Sequence, residues 1–588
     1  MKKNNVILIV VAILITIILY FSYTLFFEDD NVIKTLTVED IDTNINTDDD
    51  DEKISWEDYE SHEETLTESI NITESGTYTL SGNISDGAVT VNTNGNVKLV
   101  LNNVNIKNSN GPAVIIEQAE TVLIYLEENS NNYLEDSSTY SNLDEDVNGV
   151  IYSKDDLVFD GVGKLTIVSN YQDGIVSKDD LKIINGDYSI TSVDDAIRGK
   201  DSIYILDGNF EIKSGGDAIK TTNEEDSEKG YVLIENGTFN IESELDGISA
   251  VTKLVIENGD FNITTGGGSG NDSTSDDWGD WGMQPGYGRY PMHDYNSNDD
   301  TTASAKGLKS GDNLVIKNGT INLNTSDDAI HSNNYIGITN GNINISSGDD
   351  GIHADKEIII DNGDINITKS YEGIESAKIT INSGNISLVA SDDGINVAGG
   401  MDSSSMSRPG QNNYAGNTDN ILIINNGTIY VNATGDGIDI NGSGYVYGGD
   451  ITVDGPTNSG NGSLDYDREF IVNGGTFIAA GSSGMMQAIS SSSIQYNLAI
   501  AFNSTYQDKK VTILDSNNKE IISYTPSKSF SSIVISSKDF KKNSTYTIKV
   551  DDEEYSNFTI NSISTSIGNT SMGGPGGHGG PGGKPNRR

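Results

Sequence analysis

Asp327-Asp328-Ala329-Ile330-His331 returns 22 residues later as Asp349-Asp350-Gly351-Ile352-His353, and the fold follows from that return. The tripeptide Asp-(Gly/Ala)-Ile begins at Asp173, Asp195, Asp217 and Asp246. After an insertion it resumes in variant form at Lys306 and continues at Asp328, Asp350, Glu372, Asp393 and Asp436. The step is 22 residues from Asp173 to Asp195 to Asp217 and again from Lys306 to Glu372, then 21 to Asp393. Between successive slots lies a turn usually written Asn-Gly, as at Asn236-Gly237, Asn258-Gly259, Asn318-Gly319, Asn340-Gly341 and Asn362-Gly363. Two signals locked in one period indicate a solenoid.

The filling of each repeat selects the solenoid. Residues 181–184, 314–316, 321–323 and 358–360 are short Ile-, Val- and Leu-rich runs bounded by Gly, Asn and Asp, which are strand and turn signals. A leucine-rich repeat has a similar length, but its Leu-x-x-Leu-x-Leu frame and helical segment are missing. A calcium-binding nonapeptide roll would show period nine. The expected fold is therefore all-β, a single-stranded parallel β-helix of about 22 residues per coil. About fourteen coils at roughly 4.8 Å each would make a rod of about 65 Å.

The chain has 588 residues, of which only 35% are hydrophobic, with 64 Gly, no Cys and a net charge of −52. A solenoid tolerates so few apolar residues because each coil needs only a few inward side chains. The charge excludes nucleic acid as a partner and invites cations. Residues 6–27 are almost wholly apolar, follow Lys2 and Lys3, and precede Glu28, Asp29 and Asp30. They are expected to be an uncleaved transmembrane anchor, with residues 1–5 cytoplasmic and the rest on the extracellular face. A cleaved signal peptide, giving a secreted protein, is the alternative.

Residues 28–65 read as an acidic, solvated linker and 66–495 as the β-helix. Residues 496–565 read as a small C-terminal β module, and 566–588 as a disordered Gly/Pro-rich tail.

Residues 22 apart should stack on neighbouring coils, turning the slot into a column. Asp194, Asp195, Asp217, Asp327, Asp328, Asp349, Asp350, Asp392, Asp393 and Asp436 are the candidate metal ligands. Carboxylates about 4.8 Å apart repel by about 1 kcal/mol in water and about 3–4 kcal/mol at an effective dielectric of 20, so a cation between them is favoured. Calcium, hard and tolerant of irregular oxygen sets, is the expected ion. The competing explanation is that Asp suits the turn and accepts bonds from nearby amides.

Just after the slot, an expected outward column runs through Arg198, Lys220, Lys309, His331, His353, Glu375, Asn396 and Asp439. Its basic members could grip the carboxylates of an acidic sugar polymer. They could equally just neutralise the Asp column. His331 and His353 alternatively suggest a transition metal. The insertion at 269–304 offers Trp278 and Trp281 for stacking on sugar rings, whereas that at 399–419 reads as a plain loop.

The chain resembles the bacterial carbohydrate-binding domain proteins defined by a clostridial cellulose- and polygalacturonate-binding β-helix whose fold is akin to pectate lyases. The likeness is carried by Ser326-Asp327-Asp328-Ala329-Ile330-His331-Ser332, Ser347-Gly348-Asp349-Asp350-Gly351-Ile352-His353-Ala354-Asp355 and Ile367-Thr368-Lys369-Ser370-Tyr371-Glu372-Gly373-Ile374-Glu375. It continues through Ser391-Asp392-Asp393-Gly394-Ile395-Asn396 and Gly460-Asn461-Gly462-Ser463-Leu464-Asp465-Tyr466, covering roughly residues 65–565. It implies a parallel β-helix, calcium sites and binding of a plant-type polysaccharide.

The leading expectation is thus a membrane-anchored, calcium-dependent, non-catalytic polysaccharide-binding protein, its partner being cellulose, a pectate-type polymer or an envelope glycan. One alternative is a calcium-dependent lyase with Arg198, Lys309 or another outward base taking the proton. The other is a surface structural or adhesion element with no sugar ligand.

Overall fold

The computed structural model describes residues 36–45, 54–141, 143, 146–270, 304–398 and 420–568. Of two compact units, Met1–Leu36 lies almost wholly outside the described residues, and Thr37–Arg588 carries every strand described below. The expected anchor at 6–27, Trp278 and Trp281, the loop 399–419 and most of the tail also lie outside the described residues. Among the described residues no helix is long and apolar enough to cross a membrane.

Each coil contributes three strands, as in Ile330–Ser332, Tyr335–Ile338 and Asn342–Ser347. The slot strands stack into a parallel sheet of 15 among the described residues, from Ile70–Ile72 to Asp465–Tyr466. Its register sets Ile330 on Ile352, Ile352 on Ile374 and Ile374 on Ile395. The other two strands of each coil pair in the same way, with Ile336 on Ile358 and Ile343 on Ile365. This is the winding of a parallel β-helix. Alternation along Asn342–Ser347 sends Ile343 and Ile345 inward, where one buried cluster runs from Leu66 to Val534.

Insertions leave the register intact. Asp260 pairs with Thr320 and Asn385 with Thr428, so both insertions leave from corners between strands. Near the start, Val97–Lys107 pairs with both Thr121–Leu126 and Asn131–Glu135, so there one long strand turns the corner unbroken.

The Asn-Gly turn and the core constrain each other. Tyr188, Phe210, Phe239 and Phe261 stack inside the winding with ring centroids 5.0, 4.7 and 4.6 Å apart and nearly parallel planes. Gly237 has φ +135°, and a Cβ there would lie 2.9 Å from Phe239 Cε2. Both the backbone region and the ring therefore require glycine. Gly237→Ala is expected to cost more than about 1 kcal/mol in urea unfolding, whereas an unchanged midpoint would show that the turn relaxes freely.

Residues 37–44 correct the expectation of a solvated linker over 28–65. Val38 and Ile41 are buried. Their methyl groups fill the space over Gly337, where a Cβ would meet each at 2.7 Å. Val38 N–H donates to Asp361 Oδ2 at 3.0 Å, and Lys253 Nζ lies 3.0 Å from Asp42 Oδ2. Two apolar residues inside an acidic run suffice to dock it where a glycine leaves the sheet bare.

At the far end, Phe530–Ser537 adds antiparallel to Thr476–Gly481, the last strand of its stack, and pairs with Asn497–Tyr506. A four-stranded antiparallel sheet packs on it around Ile500, Ile513, Ile533 and Ile548. The terminal strand edge is thereby covered.

Candidate functional site

The slot positions its acid through the main chain. Asp350 N–H donates to Asp328 Oδ1 at 3.0 Å, and Glu372 N–H to Asp350 Oδ1 at 3.0 Å. The same bond links Asp195 to Asp173, Asp217 to Asp195, Asp246 to Asp217 and Asp436 to Asp393. Successive slot acids thus lie one on another, with one oxygen held by the next coil and the other available. The second slot residue must be small, because a Cβ on Gly351 would stand 2.6 Å from the carbonyl oxygen of Gly373.

What meets the second oxygen divides the column into three stretches. In the first, each acid meets a cation. Arg198 Nη2 lies 2.7 Å from Asp173 Oδ2, Lys220 Nζ 2.7 Å from Asp217 Oδ2 and 3.9 Å from Asp195 Oδ2, and Lys309 Nζ 3.0 Å from Asp246 Oδ2. Burial would lower the Lys220 pKa, but Asp217 and Asp195 more than reverse this and raise it.

The second stretch contains the histidines. Lys306, standing in the slot where other coils have an acid, reaches Asp328 Oδ2 at 2.6 Å and Asp327 Oδ1 at 3.0 Å. His331 Nδ1 lies 2.9 Å from Asp328 Oδ2, and His353 Nδ1 lies 3.4 Å from Asp350 Oδ2 and 3.9 Å from Glu375 Oε2. Burial alone would raise the Asp328 pKa, but Lys306 and the two histidines hold it well below the usual range. Asp350 is pushed well above that range by burial and by Asp349, Glu372 and Asp328. The lysine therefore neutralises one end of this stretch and leaves the other acidic.

In the third stretch, among the described residues, no cation offsets the acids. Among the described residues no ion pair reaches Asp392, Asp393, Asp436 or Asp439. Glu372 is pushed well above its usual range by burial and by Glu375 and Asp393; Asn396 Nδ2 bonds it at 2.7 Å. Burial, Asp439, Asp392 and Asp436 raise Asp393 in the same way. Asp439 rises through burial, Asp436 and Asp465, and Asp436 reaches about 7. A hard cation bridging successive coils would replace the protons these acids retain.

The expected outward column needs one correction. Arg198, Lys220, Lys309 and Asp439 are half-buried, but His331 and His353 are buried, at 1% and 2% exposure, and so are Glu375 and Asn396. The imidazoles can be enclosed because acids face them: His331 Nδ1 lies 2.9 Å from Asp328 Oδ2 and its Nε2 3.0 Å from Asn333 Oδ1, His353 Nδ1 lies 3.4 Å from Asp350 Oδ2, and the two rings pack edge to face at 5.0 Å. A lysine head would pay far more to leave water. Of the candidate ligands, Asp195 and Asp217 sit in the cation-paired stretch with Asp194 beside them. Asp327, Asp328, Asp349 and Asp350 sit among the histidines, and Asp392, Asp393 and Asp436 in the uncompensated stretch. Glu372, Glu375, Asp439 and Asp465 also belong to the column and were not among the sequence-based ligands. Their shared position in the repeat was the signal that could have identified them.

Residues 67–351 match the family of carbohydrate-binding domain-containing proteins. A protein of Acetivibrio thermocellus bearing that description is 36% identical over 126 residues, which are 21% of this chain and 44% of that relative. The chain therefore spans less than half the length of this curated relative. A solved polysaccharide lyase-like protein from C. thermocellum, a gadolinium derivative, is 36% identical, with 34% of this chain and 83% of that one covered and a TM-score of 0.33.

Proposed function

Since residues 67–351 match the carbohydrate-binding domain-containing protein family, we propose that the chain binds polysaccharide without cleaving it. We propose further that it is held at the extracellular face of the membrane by residues 6–27. The observation that carries the binding reading is that the family match falls on coils stacked in parallel register, where Arg198 stands on Lys220 and Lys309 on His331, so that one position of the repeat recurs at the spacing of a polymer that itself repeats.

Calcium fits the third stretch, where Asp392, Asp393, Asp436, Asp439 and Asp465 supply only oxygen donors and, among the described residues, no cation pairs with Asp392, Asp393, Asp436 or Asp439. Its role would be to neutralise that face, so that an anionic glycan is not repelled and uronate oxygens can complete the coordination. Arg198 and Lys309 are already engaged by Asp173 and Asp246, which argues against either serving as a free base.

The test uses the full chain in detergent micelles with cellulose, polygalacturonate and purified envelope glycan. Retention on at least one polymer is expected, weakened at least tenfold by a calcium chelator, with no rise in the ultraviolet absorbance of unsaturated product. Failure on all three polymers would overturn the binding reading. Accumulating product would replace it with the lyase.

A further inference from the structure

We propose that the histidine-bearing coils form a second and chemically different cation site, in which His353 Nδ1, Asp350 Oδ2 and Glu375 Oε2 hold a borderline transition-metal ion of the zinc type. This inference does not depend on glycan binding or on calcium in the third stretch.

Three consecutive slot strands build the site. Ile330–Ser332, Ile352–Ala354 and Ile374–Ser376 pair in parallel and set His331 on His353 and His353 on Glu375. The register is fixed by the main chain, so these side chains project side by side from a rigid sheet. Asp350 comes from the turn before the middle strand. Its Oδ1 is held by the Glu372 N–H at 3.0 Å, and its Oδ2 lies 3.4 Å from His353 Nδ1. The ring nitrogen is also 3.9 Å from Glu375 Oε2 and 3.7 Å from Asp328 Oδ2. Ligand atoms in a tetrahedral zinc site stand roughly 3.3 Å apart, given bonds of about 2.0–2.1 Å; the Asp350 oxygen is already near that separation from the imidazole, and all three ligand atoms lie within 4.8 Å of one another, so side-chain adjustment alone closes the site. His353, Glu375 and Asp350 are 2%, 3% and 6% exposed.

Charge locates the ion within the cluster. Lys306 already occupies the far side of Asp328, at 2.6 Å from its Oδ2. On the other side Asp349, Asp350, Glu372 and Glu375 converge with no lysine or arginine paired to Asp349, Asp350 or Glu372 among the described residues. The ion therefore belongs between His353 and Glu375, with His331 stacked edge-on behind. Ligand type then selects the metal. Calcium seeks six to eight oxygens, whereas an imidazole nitrogen with two carboxylates suits zinc, cobalt or nickel.

The full chain in detergent, stripped with chelator, is titrated with zinc chloride and with calcium chloride by calorimetry, and its metal content is measured after dialysis. One tightly held zinc per chain is expected to survive millimolar calcium. His353→Gln and the near-isosteric Glu375→Gln are each expected to weaken zinc at least tenfold while the circular dichroism spectrum stays unchanged. Cobalt in place of zinc should give visible bands that disappear in the same variants. The proposal is overturned if calcium displaces the zinc at comparable concentration, or if a folded His353→Gln protein binds zinc like the parent. Should both variants fail to fold, calcium competition and the cobalt spectrum of the parent decide the matter.

Discussion

Raising the pH from 5 to 8 in the presence of chelator is expected to lower the melting temperature, and calcium is expected to restore it at pH 8. The sign comes from acids whose folded pKa lies above the unfolded one. Asp436 is raised to about 7, chiefly by burial, and Asp350, Glu372, Asp393 and Asp439 are raised by burial and by one another. An unfolded carboxyl titrates at about 4. Below that value both states carry the proton and these groups impose no penalty. For Asp436, between about 4 and 7 the folded state retains a proton that the unfolded state has released, so stability falls by about 1.4 kcal/mol per pH unit, and the other raised acids act in the same direction. Asp328, held low, acts only where pH falls below about 4 and does not affect this window.

Calcium should compete with the retained protons. At 100 times its dissociation constant an ion that binds only the folded state contributes about 2.7 kcal/mol. Its stabilisation should therefore be larger at pH 8 than at pH 5, and smaller in Asp439→Asn, which removes one charge from the third stretch. A melting temperature that is flat or rises from pH 5 to 8 in chelator would refute the charge assignment. Indifference to calcium at pH 8 would remove the ion while leaving the acids as they are.

Phe239→Ala should cost about 3–5 kcal/mol, the range for emptying a fully buried aromatic site. Phe239 lies between Phe210 and Phe261, with ring centroids 4.7 and 4.6 Å away and planes within 2° of parallel. Its ring also closes the space beside the Gly237 turn. Removing it leaves two rings without a neighbour on one face. Since each coil contacts only the coils beside it, the damage should first appear as local opening. Hydrogen exchange should accelerate in Asn209–Ser214, Thr238–Ser243 and Asp260–Thr265 before the ends of the rod respond. A loss below about 1 kcal/mol with uniform exchange would mean that the neighbouring rings collapse into the space.

The repeat made the winding legible because main-chain bonding converts a period in sequence into a distance. Asp328 and Asp350 are 22 residues apart and are joined by a hydrogen bond of 3.0 Å. The Asn-Gly turns were legible for a local reason, a positive φ that glycine alone adopts freely. The candidate site was legible only as a stripe of acids. Alternation along a strand says which side chains leave the core, but nothing in it distinguishes Lys220, which remains half-exposed, from His353, which does not.

The sequence by itself therefore determined the coil, its register and the stacking of like on like, because each of these depends on neighbours one period away. Tertiary structure decided that Lys306 neutralises Asp328, that the imidazoles lie buried among carboxylates, and that Val38 and Ile41 cover Gly337. Those outcomes depend on desolvation and charge pairing between groups that share no period, and desolvation is set by whatever covers a side chain in space.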